Sequence, residues 1–556
     1  MPINRKNKFV YIVLFFCSAI FVNIKCLAQW NNNVSINNSI CNSIDSQVLP
    51  KIVSDSSGGA IIAWTDNRSG TNDIYAQRIN AAGYIQWDID GVLVTGSVDV
   101  QNEPNIVSDG SGGAIITWQD KRNGINNDIY AQHINGAGVV QWSNDGVAIC
   151  TALNNQHSPE ITSDDNGGAI ITWQDLRNGV SNDIYAQHIN GGGLFQWTSN
   201  GIPICIAPGL QNHARIISDE SGGAIITWFD FRSGLNDDIY AQRISNSGLI
   251  QWTNDGVAIC SAANYQVNPI LISNGSGGAI IAWEDHRLGT EADIYAQLIN
   301  SSGQVQWLND GVVICTSPSD QYSPTIVSDN TGGAIITWYD YRNGTNDDIY
   351  SQRINAAGLV QWTNNGVAIC TALNDQYYPV TVSDGNSGAI ITWQDYRLGS
   401  FSDVYAQLIN SFGQIQWITN GVVVSDALNN QVSPIIVSNN TGGAIVAWQD
   451  GRTGTFDDIF AQQISSEGNV NAGIKGVTNN RSVTVYPNPS NGEFTIETTT
   501  EEKQTMQLFD INGKIIYSQK IDTKTNIVVP DLKNGIYYLS ITIGENVINK
   551  KLAIIY

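Results

Sequence analysis

A chain of 556 residues has room for several domains, since single domains run to roughly 100–200 residues unless internal repeats set a different scale. Its formal charge of −23 repels nucleic acid and anionic lipid, which excludes both as partners of the bulk surface. Only 14% of the residues are charged while 42% are hydrophobic, so the acidity belongs to a folded chain and not to a disordered tail.

The N-terminus reads as a secretory leader. Arg5, Lys6 and Lys8 precede an apolar run from Phe9 to Val22, and Cys26-Leu27-Ala28 supplies a small-residue cleavage site, so residues 1–28 are expected to be removed and Gln29 to begin the mature protein. The leader holds four cations and no acid, and its loss takes the charge to −27. The run is too short to span ~30 Å of hydrocarbon, and no later stretch approaches the ~20 apolar residues a membrane helix needs. No transmembrane segment is expected. Lys25 stands where a lipoprotein signal wants a small residue, so Cys26 is not read as a lipidation site.

From there a unit with the pattern QxxPxIxSDxxGGAIIxWxDxRxGxxxDIYAQxINxxGxxQWxxxGVxIC recurs. Its central segment opens at Gly58, Gly112, Gly167, Gly222, Gly277, Gly332, Ser387 and Gly442, in steps of 54 or 55 residues. Each unit contains four short strand-like runs punctuated by Gly, Asn, Asp and Ser: PKIVSD, GAIIAWTD, DIYAQRIN and the IQW to GVLVT segment in the first copy. The second run is apolar on both faces, as a sheet covered by other sheets on both sides requires. Four antiparallel strands per unit, stacked face to face, is the β-propeller plan. Trp30 to Cys41 is a lone fourth-strand segment, while Gln431 to Ile464 has three strands and lacks the fourth. The two halves complement each other, so seven whole units and one split unit predict eight blades, closed by the N-terminal strand. An open stack would instead need polar cap repeats.

The string PxIxSDxxGGAIIxWxDxRxGxxxDIYAQ resembles the TolB-like, WD-type propeller repeat over about 30 residues of each unit. It departs from that family in the Gly-Gly after the Asp turn and in the QW fourth strand, so the resemblance implies the fold and no shared partner. The SDxxGG turn also resembles the Asp-box of sialidase propellers, with different spacing.

Most repeated side chains read as structural. All sixteen tryptophans are in phase, eight closing the second run and eight in the QW segment, which predicts wedge packing between blades. The WxDxR turn and the acid of DIY, for example Asp66, Arg68 and Asp73 or Asp340, Arg342 and Asp348, predict an arginine bridging two carboxylates within each turn. A group present once per blade is dispersed around a ring, whereas a substrate needs different groups converging on one point. Cys41, Cys150, Cys205, Cys260, Cys315 and Cys370 share one repeat position. Equivalent points on stacked sheets lie ~10 Å apart against the ~4.4–6.8 Å a disulfide requires, so free buried thiols are expected. The five histidines show no metal spacing, and no nucleophile elbow, phosphate loop or HExxH motif occurs. No catalytic residue, metal site or cofactor is expected.

What varies is the connection from the fourth strand to the next first strand, where His157, His213, Tyr265, Tyr322, Tyr377 and Tyr378 fall, and the turn carrying Leu235, Phe401 and Phe456 on the same face. Variation on a rigid scaffold is where binding resides. His157, Tyr322, Tyr377, Tyr378 and Phe401 are therefore the candidate ligand-binding residues, for a glycan or protein ligand held without turnover. The alternatives are a propeller glycoside hydrolase or lyase, which would need blade-specific insertions, and a purely structural surface protein.

After Ile464 the repeat stops, and a linker at 465–481 leads to a module at 482–556 richer in Lys, Thr and Glu. Tyr486-Pro487-Asn488-Pro489 with Gly492, then Asp510 to Gly513, then Gly535 to Tyr537, and a closing Lys550-Lys551-Leu552 run alternate strand and turn like a small sandwich. These segments, about 75 residues with four ordered motifs, resemble the type IX secretion (Por) sorting domain of Bacteroidetes. That resemblance implies Sec export, passage through the outer membrane by the type IX machinery, and release or attachment at the cell surface, with Tyr486, Pro487, Asn488, Pro489, Gly492, Asp510, Gly513, Gly535 and Tyr537 as its motif residues. The expected fold is all-β: a signal peptide at 1–28, an eight-bladed propeller at 29–464 that acts as a monomer, and a C-terminal immunoglobulin-like β-sandwich.

Overall fold

The computed structural model describes residues 30–470 and 483–554, apart from 290, 489, 499–503, 511–513, 531 and 544–545. The expected leader and most of the expected linker lie outside the described residues. Two compact units divide the chain, one up to Ala472 and one from Gly473.

The first unit is an eight-bladed β-propeller. Each blade is a four-stranded antiparallel sheet in sequence order, as in blade 1 with strands Gln47–Ser54, Ala60–Asp66, Asp73–Ile79 and Val92–Thr95. Blades 2 to 7 begin at Gln101, Gln156, Gln211, Gln266, Gln321 and Gln376. Blade 8 takes three strands from Gln431–Ser438, Ala444–Asp450 and Asp458–Ile464, and its fourth from Asn38–Cys41, which pairs antiparallel with the last of them. The split unit thus closes the ring. Asn37 adds a side-chain bond from Nδ2 to the Val424 carbonyl at 2.9 Å, and Arg452 Nη1 donates to the Ile36 carbonyl at 2.6 Å.

Second strands such as AIITWQD are buried at every position because a neighbouring blade covers each face. The eight tryptophans that end them are fully buried. The QW tryptophans reach across to the following blade, where each indole N–H donates to a backbone carbonyl, for example Trp197 to Asn246 at 2.8 Å and Trp307 to Ala356 at 3.0 Å. The tryptophans are wedges, as their phase predicts.

The WxDxR turn differs from expectation. In blade 6, Asp340 accepts the Trp338 indole N–H at 2.7 Å and both arms of Arg342, at 2.8 and 2.5 Å. The same guanidinium donates to the Asn365 carbonyl at 2.9 Å and to Cys315 Sγ of blade 5 at 3.3 Å, and lies 3.6 Å over the Tyr350 ring. Its Nε and Nη2 serve one carboxylate, a carbonyl and a thiol, and its ion pair is with Asp340 and not with the second acid. Asp348 instead accepts from Asn343 and Asn346 at 2.9 and 3.0 Å. Burial, with the like charge of Asp340, pushes Asp348 up to about 6. The six repeat cysteines are buried and free.

The second unit is a sandwich. A three-stranded sheet (Val483–Tyr486, Glu493–Thr498, Lys524–Val528) faces a four-stranded one (Gln504–Phe509, Ile515–Ile521, Gly535–Ile543, Asn546–Ile554). Phe494, Ile496, Met506, Leu508, Leu539, Ile541 and Leu552 form its core.

Candidate functional site

First strands of neighbouring blades touch one another while fourth strands diverge, so the first strands line the central channel. Each carries a β-bulge at its QxxP motif. In blade 3 the register runs His157↔Gln174, then jumps to Glu160↔Thr172. The proline cannot donate to the ladder, and the channel-side edge strand is where a sheet tolerates that. The residue before the proline, or before Ala214 in blade 4, is held in the left-handed region in every blade: Leu49, Glu103, Ser158, His213, Asn268, Ser323, Tyr378 and Ser433 have φ between 48° and 55°. For non-glycine residues this costs of order 1 kcal/mol each, a strain that bulges near binding sites characteristically carry.

This local geometry corrects one expectation: His157, Tyr322, Tyr377 and Tyr378 belong to first strands, not to the preceding connections. Gln-x of the motif already pairs with the second strand ahead of the bulge.

Three of the five sequence-derived candidates converge. Tyr322 of blade 6 packs on Tyr339 (centroids 5.7 Å apart), which meets Tyr377 and Tyr378 of blade 7 edge-on at 5.5 and 6.0 Å. Tyr377 also meets Tyr396 at 6.1 Å. Tyr378 is 56% exposed at the bulge. Carboxylates surround the phenols. Burial and the Asp375 and Asp347 carboxylates raise the Tyr377 hydroxyl, as burial and Asp320 raise that of Tyr322. Asp347 is pushed up to about 6 by burial and by Asp375. Tyr339 and Tyr396 were missed by the sequence reading. Both occupy variable columns of the repeat, the x positions of WxDxR, which a column-by-column comparison exposes.

The other two candidates lie elsewhere. His157 shares Nε2 with Asn182 Oδ1 at 3.2 Å in blade 3. Phe401 lines a cavity of about 300 Å³ with Phe456, Asn429 and Asn430, where Gly451 of blade 8 leaves out the side chain present in other blades.

A third feature is a cavity of about 320 Å³ at the channel mouth of blades 1–4, with Lys51, Glu103, Glu160, His213 and Arg215 in its lining. Arg215 pairs with Glu160, whose other oxygen accepts from Asn105 Nδ2 at 2.8 Å. Burial and Arg215 lower the His213 imidazole, which packs on Phe229 at 5.0 Å. Sequence reasoning noted His213 as a variable position but passed over Lys51, Glu103, Glu160 and Arg215, because it looked for chemistry in the connections and turns. For Lys51, Glu160 and Arg215 the signal is a charged residue one position after the QxxP proline column, which blade 2 fills with Asn and blades 5–8 with Ile, Val or Thr.

Of the C-terminal motif residues, Asn488 Oδ1 accepts the Ala553 amide at 2.9 Å, Asp510 Oδ1 accepts that of Lys514 at 2.9 Å, and the Tyr537 hydroxyl donates to the Lys533 carbonyl at 2.9 Å. Pro489 and Gly513 lie outside the described residues. No helix among the described residues is long and apolar enough to cross a membrane.

No curated protein matches the chain. Solved structures similar to it include an ulvan lyase of a new polysaccharide lyase family bound to a glucuronate–sulfated rhamnose ligand (10% identity, TM-score 0.42, covering 81% of this chain and 98% of that one). Two others are an α-L-arabinanase of Penicillium chrysogenum complexed with arabinobiose (12%, 0.32, 56% and 94%) and a protein of unknown function from Dyadobacter fermentans (9%, 0.31, 54% and 93%). At this level of likeness they say nothing about what this chain binds or turns over. Residues 484–555 match the secretion system C-terminal sorting domain, so the second unit is that domain, and the chain is exported by type IX secretion to the cell surface or the medium.

Proposed function

We propose that the propeller is an exported, monomeric binding module that holds a glycan on the tyrosine patch of blades 6 and 7 without turning it over. The observation that carries this reading is the meeting of Tyr322, Tyr339, Tyr377, Tyr378 and Tyr396 from two adjacent blades. Flat aromatic faces stack on the C–H faces of sugar rings, and the carboxylates of Asp320, Asp347 and Asp375 accept hydroxyl hydrogens. Such rigid aromatic anchors dominate binding energies. Replacing Tyr377 and Tyr378 together with Ala should weaken binding of a glycan found on an array by roughly 1–3 kcal/mol while leaving the melting temperature of the ring in place. An array without hits, or equal binding by the double variant, removes the reading.

A propeller hydrolase or lyase is the second reading. It is favoured by the non-repeated Lys51, Glu103 and Glu160 that converge on the channel cavity. Release of reducing ends or unsaturated products from a polysaccharide panel, abolished by Glu103→Gln, would establish it.

A further inference from the structure

The cations of the propeller follow a rule with few exceptions. Between residues 30 and 470 there are twelve arginines and two lysines. Every one of those arginines is in an ion pair: eight within WxDxR turns, three with the Asp of the SDxxGG turn, and Arg215 with Glu160. Among the described residues Lys51 and Lys121 are the propeller cations without one. Lys121 sits in an outer turn. Lys51 lies on the first strand of blade 1, half-buried, in the wall of the channel cavity.

Its column explains why that placement is unusual. The residue after the QxxP position is Lys51, Asn105, Glu160 and Arg215 in blades 1–4, and Ile270, Thr325, Val380 and Ile435 in blades 5–8. Blades 2–4 satisfy one another: Arg215 binds Glu160, Glu160 accepts from Asn105, and the side-chain Oδ1 of Asn105 accepts the Ile106 amide. Lys51 continues the polar strip and is left over. One further charge of the cavity is left over as well. Glu103, exposed on the bulge of blade 2, has no ion pair among the described residues. A cation in a protein that is otherwise strongly acidic, with every arginine around it neutralised, has a free ammonium to offer to an anion.

We infer that the channel cavity of blades 1–4 is a second binding site, independent of the tyrosine patch, and that it takes a sugar acid. The carboxylate of the ligand pairs with Lys51, its hydroxyls donate to Glu103, and the carbon face of its ring lies against Leu49, Pro104 and Pro159. A neutral sugar would leave the ammonium unmatched, and a bare carboxylate would leave Glu103 without a donor. A cavity of about 320 Å³ is at the small end of the range for small-molecule sites, which suits a single sugar ring or a chain end. Because Glu103 is exposed, an ammonium there would add little over a hydroxyl, which favours a sugar acid over a free amino acid.

The test is calorimetric titration of the exported chain with galacturonate and glucuronate, with galactose and glycine as matched controls. One of the two acids should bind, galactose about tenfold or more weaker, and Lys51→Met should lose about tenfold or more in affinity at an unchanged melting temperature, as expected for loss of a charged hydrogen-bond partner. Lys51→Arg should retain binding, Glu103→Gln should weaken it, and the Tyr377/Tyr378 double alanine variant should bind the acid as the parent does. That last arm separates this site from the glycan site proposed above. Absence of binding by both acids, galactose or glycine binding as tightly, or full affinity in both Lys51→Met and Glu103→Gln overturns the inference.

Discussion

Each arginine of the WxDxR turn orders four partners at once: a carboxylate, a carbonyl of its own blade, a tyrosine or phenylalanine face, and in most blades the cysteine of the preceding blade. The thiol is therefore a seam component. Sγ of Cys315 sits 3.8 Å from Asp340 Oδ2, and burial pushes its thiol up to about 12, as it does for Cys41, Cys150, Cys260 and Cys370. Thiolate is the reactive form, so a buried thiol raised this far is inert at neutral pH. Native exported protein should accordingly give no reaction with an aromatic disulfide reagent at pH 8, and six equivalents once unfolded without reductant. Rapid labelling of the native ring would show that the seams open.

At the scale of the strand, the turn entering the fourth strand of blades 1 to 7 is set by a glycine packed against the buried tryptophan, while Asn37 holds that place in blade 8. Gly146 has φ +88°, and a Cβ there would stand 2.5 Å from Trp118 Cη2 and 2.8 Å from the Ala131 carbonyl. The backbone approach is what lets the fully buried tryptophan close the blade. Gly124, in the outer turn of the same blade, has φ +74° but its nearest neighbour, Asp99 Oδ2, is 3.8 Å away. Gly124→Ala should thus cost about 1 kcal/mol through backbone strain alone, and Gly146→Ala roughly 2–4 kcal/mol, since overpacking adds to it. The check is the thermal midpoint of each variant, with a clearly larger fall for Gly146→Ala. Equal falls would mean the tryptophan shifts freely.

Across the whole ring, one acid per blade titrates in the same unusual direction. Asp73 is raised, Asp128, Asp183, Asp238, Asp293, Asp348 and Asp458 are pushed up to about 6 and Asp403 to about 7, by burial first and by neighbouring acids. A folded value above the unfolded one means the native state binds more protons between roughly pH 4 and 7, so stability falls as pH rises through that window. Asp109 and Asp329 are lowered, because hydrogen bonds from His133, Ser111 and Gly113, or from Thr331, Gly333 and Arg353, outweigh their burial. Their contribution is lost only as pH falls below the ordinary carboxylate range. The melting temperature should consequently be higher at pH 5 than at pH 8, and self-repulsion of a chain with net charge −23 acts in the same direction. A midpoint that rises from pH 5 to pH 8 would contradict the burial of these acids.

The blade count, the closing strand, the tryptophan wedges and the C-terminal sandwich were legible in the sequence because each follows from local periodicity: alternation within strands, turn residues between them, and a repeat whose two ends complement each other. The candidate site was legible only in part. Tyr322, Tyr377 and Tyr378 stood out because they break the repeat, yet nothing local says that Tyr339 and Tyr396 join them while His157 and Phe401 do not. The tertiary structure alone decided this, through radial distance. Equivalent positions on turns are held apart around the ring, whereas first strands of adjacent blades touch along the channel wall, so Glu160 and Arg215 meet although 55 residues separate them. The arginine fork was decided the same way: folding brings a carbonyl and a thiol to Nη2, while Asp348 is held by Asn343 and Asn346 instead.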